Sequence, residues 1–444
     1  MNSISKPKMP GLYELLVISL GFGTVSLGHL GAAHMRIWAF LLGAILLGLP
    51  MAFLARNRSV IHGRMPFVLS ALFFMSVMLS GLNAADLASW KKQSILLLAM
   101  LLLFEMVGQR CSVRQLLGNM RLVTYPGVLI AGWGIIEMVF FPSSLQLYYV
   151  GGLVVPRAHS FFAEANEFSQ YLSLPFSFML SALVFDKAIP KWERQFYYVG
   201  LVVVVMAQIL TFSRGGILAF VTSLLILFFL LAASRGGTKK YVYKMLFWLL
   251  MIVLLLGVLY VTQPIIDALF HVLLERINSL FSGSDPTSNI RFDEIRMGLE
   301  AASQNTSTLI FGIGFGNLPT VLGEGVATTA NLFVDVLSEL GIFGLIAFCL
   351  IVFAVAILPI KTLRILTRSN DSKLLSVFFG AYLSYAGLIV GGLTYATHML
   401  NFFWFIGGLL TAFVRYARKP EDRSAPVNAT LDLHAPGLQI GRQE

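Results

Sequence analysis

The sequence predicts an all-α protein, a bundle of about 12 transmembrane helices with one long outer loop that carries an amphipathic helix. Of its 444 residues, 57% are hydrophobic and 12% are charged, and the charged share is about half of the roughly 25% typical of soluble proteins. Apolar stretches of about 20 residues, the length that crosses the hydrocarbon core of a bilayer, recur along the chain. Basic residues gather in the segments between alternate stretches, as expected for cytoplasmic loops.

The apolar stretches extend over residues 1–416, which we interpret as one transmembrane domain. The predicted spans are 12–31, 36–55, 66–82, 93–107, 120–141, 168–185, 196–212, 215–233, 245–264, 331–358, 374–395 and 400–416. The remaining residues, 417–444, are polar and contain proline, so we predict a disordered cytoplasmic tail.

The orientation follows from the distribution of Lys and Arg. Basic loops, such as the one with Arg235, Lys239 and Lys240, fall on one side of the membrane in unbroken alternation. The positive-inside rule makes that side, and both termini, cytoplasmic. The opposite side then holds three segments: 142–167, 211–215 and 266–330. In the last of these, apolar spacing over 291–304 predicts an amphipathic helix lying near the membrane surface.

The net charge of +10 does not indicate a nucleic-acid partner, because the Lys and Arg residues that cause it orient the spans. We therefore predict contact with membrane lipids and not with nucleic acid. The two cysteines, Cys111 and Cys349, are too few and too far apart for a disulfide framework or a metal site. The sequence has no Asp-x-Asp pair and its histidines show no ligand spacing, so we predict neither a metal nor a cofactor.

Charged residues at the predicted outer face are the main functional candidates, because a charge inside or at the edge of a span is costly. They are Arg157, Glu164, Arg214, Arg291, Arg296 and Glu339. Guanidinium groups bind phosphate oxygens in a bidentate manner, so several arginines at one face could hold a diphosphate. For a single arginine, snorkelling to lipid headgroups is about as good an explanation. That alternative is weakest for Arg214, whose turn, TFSRGG, is too short for an idle charged loop.

The glycines of FGIGFG, Gly312, Gly314 and Gly316, allow two interpretations. A glycine-rich loop can bind phosphate through its backbone amides, although this pattern alone is a weak indication. No predicted strand precedes the motif and no Lys-Ser/Thr pair follows it, so a nucleotide P-loop is not predicted. The alternative is a tight turn that returns the long loop to the membrane.

In combination, these motifs resemble the bacterial O-antigen ligase and polymerase superfamily over roughly residues 120–415. The matching pieces, in chain order, are an Arg-led loop with Glu-Ala-Asn (157–172), TFSRGG (211–216), an Arg-led helix (291–302), FGIGFG (311–316) and NLFVDVLSELGIFG (331–344). The resemblance implies a metal-independent glycosyltransferase of the bacterial inner membrane, with its active site facing the periplasm. The donor would be a glycan on a polyprenyl (undecaprenyl) diphosphate. A ligase passes the glycan to lipid A-core, and a polymerase passes it to a carrier-linked repeat unit.

The resemblance also implies roles for the candidate residues. Arg157, Arg214, Arg291 and Arg296 would contact the carrier diphosphate, with Arg214 and Arg291 also acting in catalysis. Ligases of the family carry a His immediately before the Asn that opens the tenth span, but here Ala330 precedes Asn331. The remaining candidates for a proton acceptor are Glu164, Glu339 and His398.

Two alternatives belong to other functional classes. A transporter or flippase for lipid-linked saccharides would place charges inside several spans, whereas the notable charges here lie at the outer face. A scaffold of an envelope assembly machine would not need outward arginines beside a glycine-rich turn. Between ligase and polymerase the choice stays open, with a slight preference for polymerase because of Ala330.

Overall fold

The computed structural model describes residues 64–141, 146–150, 153–233, 286–323, 328–369 and 371–418. Three predicted spans lie outside the described residues, namely 12–31, 36–55 and 245–264. The first part of the predicted outer loop and nearly all of the predicted tail also lie outside them.

The described chain is mostly helical, as predicted. Its longer helices are α1 (Arg64–Ser80), α2 (Leu87–Arg110), α3 (Val113–Phe140), α4 (Ala165–Phe185), α5 (Lys191–Leu210), α6 (Arg214–Ala233), α7 (Pro286–Ala302), α10 (Leu332–Ser369), α11 (Ser372–Gly391) and α12 (Asn401–Arg418). Two short helices lie between α7 and α10, namely α8 (Thr306–Phe311) and α9 (Pro319–Leu322).

Among the described residues, six helices are long and apolar enough to cross a membrane: α2, α3, α4, α5, α10 and α11. Shorter apolar segments occupy Val68–Asn83 and Arg214–Leu230. These helices make the chain a multi-pass membrane protein. The count of 12 spans and the outer placement of 266–330 stay predictions.

Helix packing depends on small residues that let neighbouring backbones approach. A Cβ added to Gly408 of α12 would lie 2.7 Å from the carbonyl oxygen of Phe104 in α2. A Cβ on Gly380 of α11 would lie 2.9 Å from the ring of Phe178 in α4. Close approach through small residues is the usual way in which membrane helices pack, because lipid provides no hydrophobic force to drive them together. The centre of the bundle is filled by α12, whose Trp404 is fully buried.

The predicted outer ends of the helices meet at one end of the bundle. The Ala158 amide, just before α4, donates to the carbonyl of Leu210 at the end of α5 (3.0 Å). The Leu332 amide at the start of α10 donates to Gly392 just after α11 (2.8 Å). The polar connections between these helices therefore gather in one place.

The helix α10 is not continuous. At Gly341 the backbone has φ 68°, which breaks the helix nine residues after its start. A Cβ at Gly341 would lie 2.3 Å from the carbonyl oxygen of Ile310 in α8, so only glycine fits there. Hydropathy predicted one uninterrupted span over 331–358, because it reports apolar length and carries no information about a break.

Two local predictions differ from the structure. In the segment predicted as an outer loop, β1 (Gln146–Val150) pairs antiparallel with β2 (Leu153–Arg157). The Gly-Gly link between two runs rich in Val and Tyr is a hairpin signal that the all-α interpretation overlooked. The helix predicted over 291–304 is α7, which begins five residues earlier at Pro286, a residue type suited to the first helical turn.

Candidate functional site

The candidate site is organised by residues 392–395, the first part of the connection between α11 and α12, which we call the 392–395 loop. Its backbone carbonyls accept hydrogen bonds from two separate parts of the chain. Arg291 Nη1 of α7 donates to the Thr394 carbonyl at 3.3 Å. Asn331 Nδ2 donates to the Leu393 carbonyl at 3.2 Å. The loop therefore joins the Arg-led helix to the start of α10, two motifs separated by tens of residues in sequence.

The TFSRGG turn packs against the same loop. A Cβ at Gly215 would lie 2.1 Å from Thr394 Oγ1, so the turn can approach the loop only because this residue is glycine. Arg214 directly precedes Gly215 and is half-buried at the first position of α6. The backbone next to Arg214 and the Arg291 guanidinium therefore both approach Thr394.

The segment 157–172, which contains Glu-Ala-Asn, approaches the 392–395 loop at Tyr395. The Tyr395 side chain lies near enough to Glu164 and Glu167, at the start of α4, for both carboxylates to act on it electrostatically. Burial, followed by these two carboxylates, raises the pKa of Tyr395 well above its ordinary value. The phenol therefore keeps its hydrogen at neutral pH. Glu164 is exposed, whereas Glu167 is half-buried.

The Arg157 side chain holds the TFSRGG turn in place through hydrogen bonds. Its side chain is buried, its Nε donates to the Thr211 carbonyl at 2.7 Å, and its Nη2 donates to Asn166 Oδ1 at 2.9 Å. These bonds fix the turn that carries Arg214 relative to the loop that carries Glu164. The geometry thus gives Arg157 a role in positioning its neighbours.

Arg296 lies on a different side of α7 from Arg291. Five residues of α-helix turn the side-chain direction by about 140° at 3.6 residues per turn. The Arg296 side chain is 77% exposed and forms an ion pair with Glu300 at 2.7 Å. The opposite face of α7 packs on α10, where Ser338 Oγ donates to the Gly298 carbonyl at 2.9 Å.

The glycine-rich turn is bound to α10 through its amides. Gly312, Gly314 and Gly316 have φ values of 80°, 105° and 76°, a region that favours glycine. The Ile313 and Gly314 amides donate to the Ser338 and Glu339 carbonyls at 2.9 and 3.2 Å. The geometry therefore supports the interpretation of FGIGFG as a tight turn rather than as a phosphate-binding loop.

Glu339 is buried beneath this turn. Its side-chain carboxyl group accepts a hydrogen bond from the amide of Leu318 at 3.3 Å. The structure gives Glu339 an internal partner, and its predicted role as a proton acceptor stays a prediction.

His398 is also buried. Its ring lies among the rings of Phe315 and Phe348, with centroid distances of 6.1 and 6.5 Å. Burial lowers the pKa of His398 to about 4, so the imidazole is neutral near pH 7. Because only 2% of the residue is exposed, His398 is badly placed to reach an acceptor sugar.

Ala330 has an unusual backbone conformation. Its φ is 56°, and the other described non-glycine residues with positive φ are Ser160 and Phe212, at 52° and 49°. Each adjoins a candidate motif, and such residues cost roughly 1–3 kcal/mol and concentrate at functional sites. Next to Ala330, Asn331 Oδ1 accepts from the amides of Phe333 and Val334 at 3.0 and 3.2 Å, so it caps α10.

The structure thus brings the Arg291 and Asn331 side chains and the turn next to Arg214 against the 392–395 loop, and Glu164 acts electrostatically on Tyr395. The sequence analysis did not identify Thr394, Tyr395 or Glu167 as part of this site. The loop contributes mainly carbonyl groups and one phenol, which give no recognisable motif in GGLTYATHM. Within the described ranges, no group of three or more His, Cys, Asp or Glu side chains is placed to hold a metal ion.

These observations define a class: a mostly helical, multi-pass membrane protein with a polar, arginine-containing candidate site in the loops at one end of its bundle. Residues 199–349 match the family model described as O-Antigen ligase, which confirms the resemblance to the O-antigen ligase and polymerase superfamily. The matched segment contains Arg214, Arg291 and Ala330.

The sequence matches none of the curated proteins with which it was compared. A solved structure described as "Structural coordination of polymerization and crosslinking by a peptidoglycan synthase complex" aligns with a TM-score of 0.43 and 17% sequence identity. The alignment covers 80% of this chain and 97% of that chain.

Proposed function

We propose that this protein transfers a glycan from an undecaprenyl-diphosphate carrier to an acceptor hydroxyl at the periplasmic face of the bacterial inner membrane. The observation that carries the proposal is that the Arg214–Gly215 turn and the Arg291 guanidinium both approach Thr394. Both arginines belong to the segment that matches the O-antigen ligase family. Two guanidinium groups brought together there would suit a diphosphate, which has several anionic oxygens.

The reaction requires a stabilised leaving group. When the acceptor oxygen attacks the anomeric carbon, the carbon–oxygen bond to the carrier breaks and negative charge grows on the diphosphate. Arg214 and Arg291 would stabilise that charge, and Arg157 would keep the Arg214 turn in place. Arg296, exposed on the same helix as Arg291, stays a predicted contact for the lipid carrier. No step in this scheme needs a metal ion.

We favour a polymerase, in which the acceptor is another carrier-linked repeat unit, over a ligase that uses lipid A-core. The support is Ala330, which stands where ligases of the family carry His. In either case the proposed domain organisation is a transmembrane bundle over residues 1–416 followed by a cytoplasmic tail.

The test is glycan transfer by the purified protein, with undecaprenyl-diphosphate-linked glycan as donor and each acceptor supplied separately. Arg214→Lys and Arg291→Lys should each lose most activity, because an ammonium group cannot form the bidentate contact. Removal of the charge by Arg→Ala should cost roughly 10²–10³-fold in rate. The matched control is Arg194→Lys. Arg194 is exposed in the first turn of α5, at the end of that helix opposite the TFSRGG turn. Full activity in both lysine variants would refute the diphosphate site.

A further inference from the structure

We propose that Asp335 is a positioning residue for glycan transfer, and that by binding Thr329 it fixes residues 330–331 as one side of the candidate site. This inference rests on the proposed function and extends it to a residue that the sequence analysis did not single out. Its observational basis is a pair of hydrogen bonds at the start of α10. The Thr329 amide donates to Asp335 Oδ1 at 2.7 Å, and the Thr329 hydroxyl donates to the same oxygen at 2.6 Å.

Burial restricts Asp335 to this contact. The residue is 1% exposed, and its second oxygen, Oδ2, is buried without a hydrogen-bond partner among the described residues. The Thr329 hydroxyl has one hydrogen, and Asp335 Oδ1 is closer to it than the Asn331 carbonyl at 3.3 Å. Breaking the contact would leave buried polar groups unpaired, which is costly. Asp335 therefore cannot reach a sugar itself and acts through Thr329.

The backbone that Asp335 holds has an unfavourable conformation. Ala330 directly follows Thr329 and has φ 56°, a region that few residues with a side chain adopt. On the other side of Thr329, α7 packs closely, since a Cβ at Gly298 would lie 2.7 Å from Thr329 Cγ2. The segment is thus held between α7 and the Asp335 carboxyl group, and loss of either contact would release the left-handed turn.

The held segment borders the proposed diphosphate site. Asn331 Nδ2 donates to the Leu393 carbonyl at 3.2 Å. Arg291 Nη1 donates to the next carbonyl of the 392–395 loop, that of Thr394, at 3.3 Å. Ala330 is half-buried next to Asn331, so its backbone and methyl group can face a sugar bound beside this loop. A shift of the segment would therefore change the shape of the site without removing the Arg291 contact.

The same arrangement occurs at Ser160 and Phe212, the two other described non-glycine residues with positive φ. The Ser160 amide donates to Glu137 Oε2 at 2.8 Å. The carbonyl immediately before Phe212 accepts from Arg157 Nε at 2.7 Å. Both of these ionisable side chains are buried. A buried ionisable residue thus bonds the backbone at each of the three turns, which is how a fold maintains costly conformations at a functional site.

The experiment measures kcat, the donor KM and the thermal midpoint for Asp335→Ala, Asp335→Asn and Thr329→Val. Asp335→Ala should lower kcat by roughly a hundredfold, the cost of misplacing a site by about 1 Å, with little change in donor KM. Asp335→Asn keeps an oxygen that can accept from Thr329, so its kcat should stay within roughly tenfold of that of the unmodified protein. Thr329→Val keeps the amide bond and the branched shape but loses the hydroxyl, and should lower kcat by roughly ten- to a hundred-fold.

The matched control is Asp371→Ala. Asp371 accepts from the Lys373 and Leu374 amides at 3.1 and 3.0 Å, at the end of α11 opposite the 392–395 loop. It makes the same kind of contact away from the site, so its loss should lower the thermal midpoint and leave kcat unchanged. The control therefore separates lost stability from lost positioning.

Two results would overturn the assignment. Near-normal kcat in Thr329→Val, which should fold even if Asp335→Ala does not, would show that the contact does not position the site. Loss of activity in folded Asp335→Asn as severe as in Asp335→Ala would show that the carboxylate itself takes part in the reaction. Failure of the proposed function has a different signature, since the unmodified protein would then transfer no glycan to either acceptor.

Discussion

Substitution of Ala330 by His gives the sharpest test of how this chain differs from its relatives. The backbone at position 330 is already left-handed, with φ 56°, and His is several-fold enriched among non-glycine residues in that region. Ala330 is half-buried, so a ring can extend outward without displacing a packed core. We therefore expect Ala330→His to fold, with the cap formed by Asn331 retained.

The expected size of the effect depends on whether a proton acceptor is missing. An imidazole that replaced a lost base would raise the rate by roughly 10²–10⁴-fold, which lowers the barrier by about 3–5 kcal/mol. If another residue, such as Glu164, already accepts the proton, a second base adds little. We expect transfer to carrier-linked repeat to stay within roughly tenfold of the unmodified protein, about 1.4 kcal/mol in barrier height.

The assay compares Ala330→His with Ala330→Gly on both acceptors. Ala330→Gly keeps the left-handed backbone but removes its cost, roughly 1–2 kcal/mol for a residue with a side chain, and it adds no base. A change in transfer rate shared by both variants therefore reflects an altered backbone at position 330. A change seen in the histidine variant alone reflects the action of the imidazole. A gain of a hundredfold or more on lipid A-core, seen only with His, would refute the polymerase interpretation and identify a ligase with a lost base.

Three further predictions address topology, metal dependence and the glycine-rich turn. Reporter fusions after Lys244 and after Gly323 should read cytoplasmic and periplasmic, and the same reading from both would contradict the predicted orientation. Transfer should persist in excess EDTA, whereas activity lost with chelator and regained with magnesium or manganese would exclude the metal-free scheme. Gly312→Ala should reduce the yield and thermal midpoint of the folded protein, because its Cβ would lie 2.1 Å from the Glu339 carbonyl oxygen. Gly132→Ala, whose Cβ would meet no atom within 4 Å, is the control, and equal behaviour of the two would show that the turn is not tightly packed.

Apolar length predicted the helices of the bundle well, because the cost of exposing backbone polar groups to lipid forces long apolar segments into helices. The predicted span 168–185 corresponds to α4, and 374–395 corresponds to most of α11. The boundaries were less accurate where polar residues start a helix. The helix α2 begins at Leu87 rather than at residue 93, because Asp86 caps it by accepting from the Ala88 and Ser89 amides.

The candidate site was predictable only in part. Arg214 and Arg291 stand out in sequence because charge at a membrane face is costly. The loop that joins them could not be found in the same way, because the Leu393 and Thr394 carbonyls belong to every residue type alike. Glu339 shows the opposite problem, because it is conspicuous in the sequence as an ionisable residue within a span. In the structure its side chain accepts a hydrogen bond from the amide of Leu318 inside the fold.

The backbone break at Gly341 separates the first nine residues of α10, 332–340, from the rest of the helix. Residues 332–340 are hydrogen-bonded to α7 through Ser338 and to the glycine-rich turn through Glu339. Helix α7, the glycine-rich turn and the first turns of α10 therefore form one exchangeable unit. Asn83, between α1 and α2, also binds this unit by donating to the Gly312 carbonyl. Chimeras that swap acceptor preference between relatives should be joined at Gly341, inside the apolar stretch, rather than at the membrane boundary suggested by hydropathy.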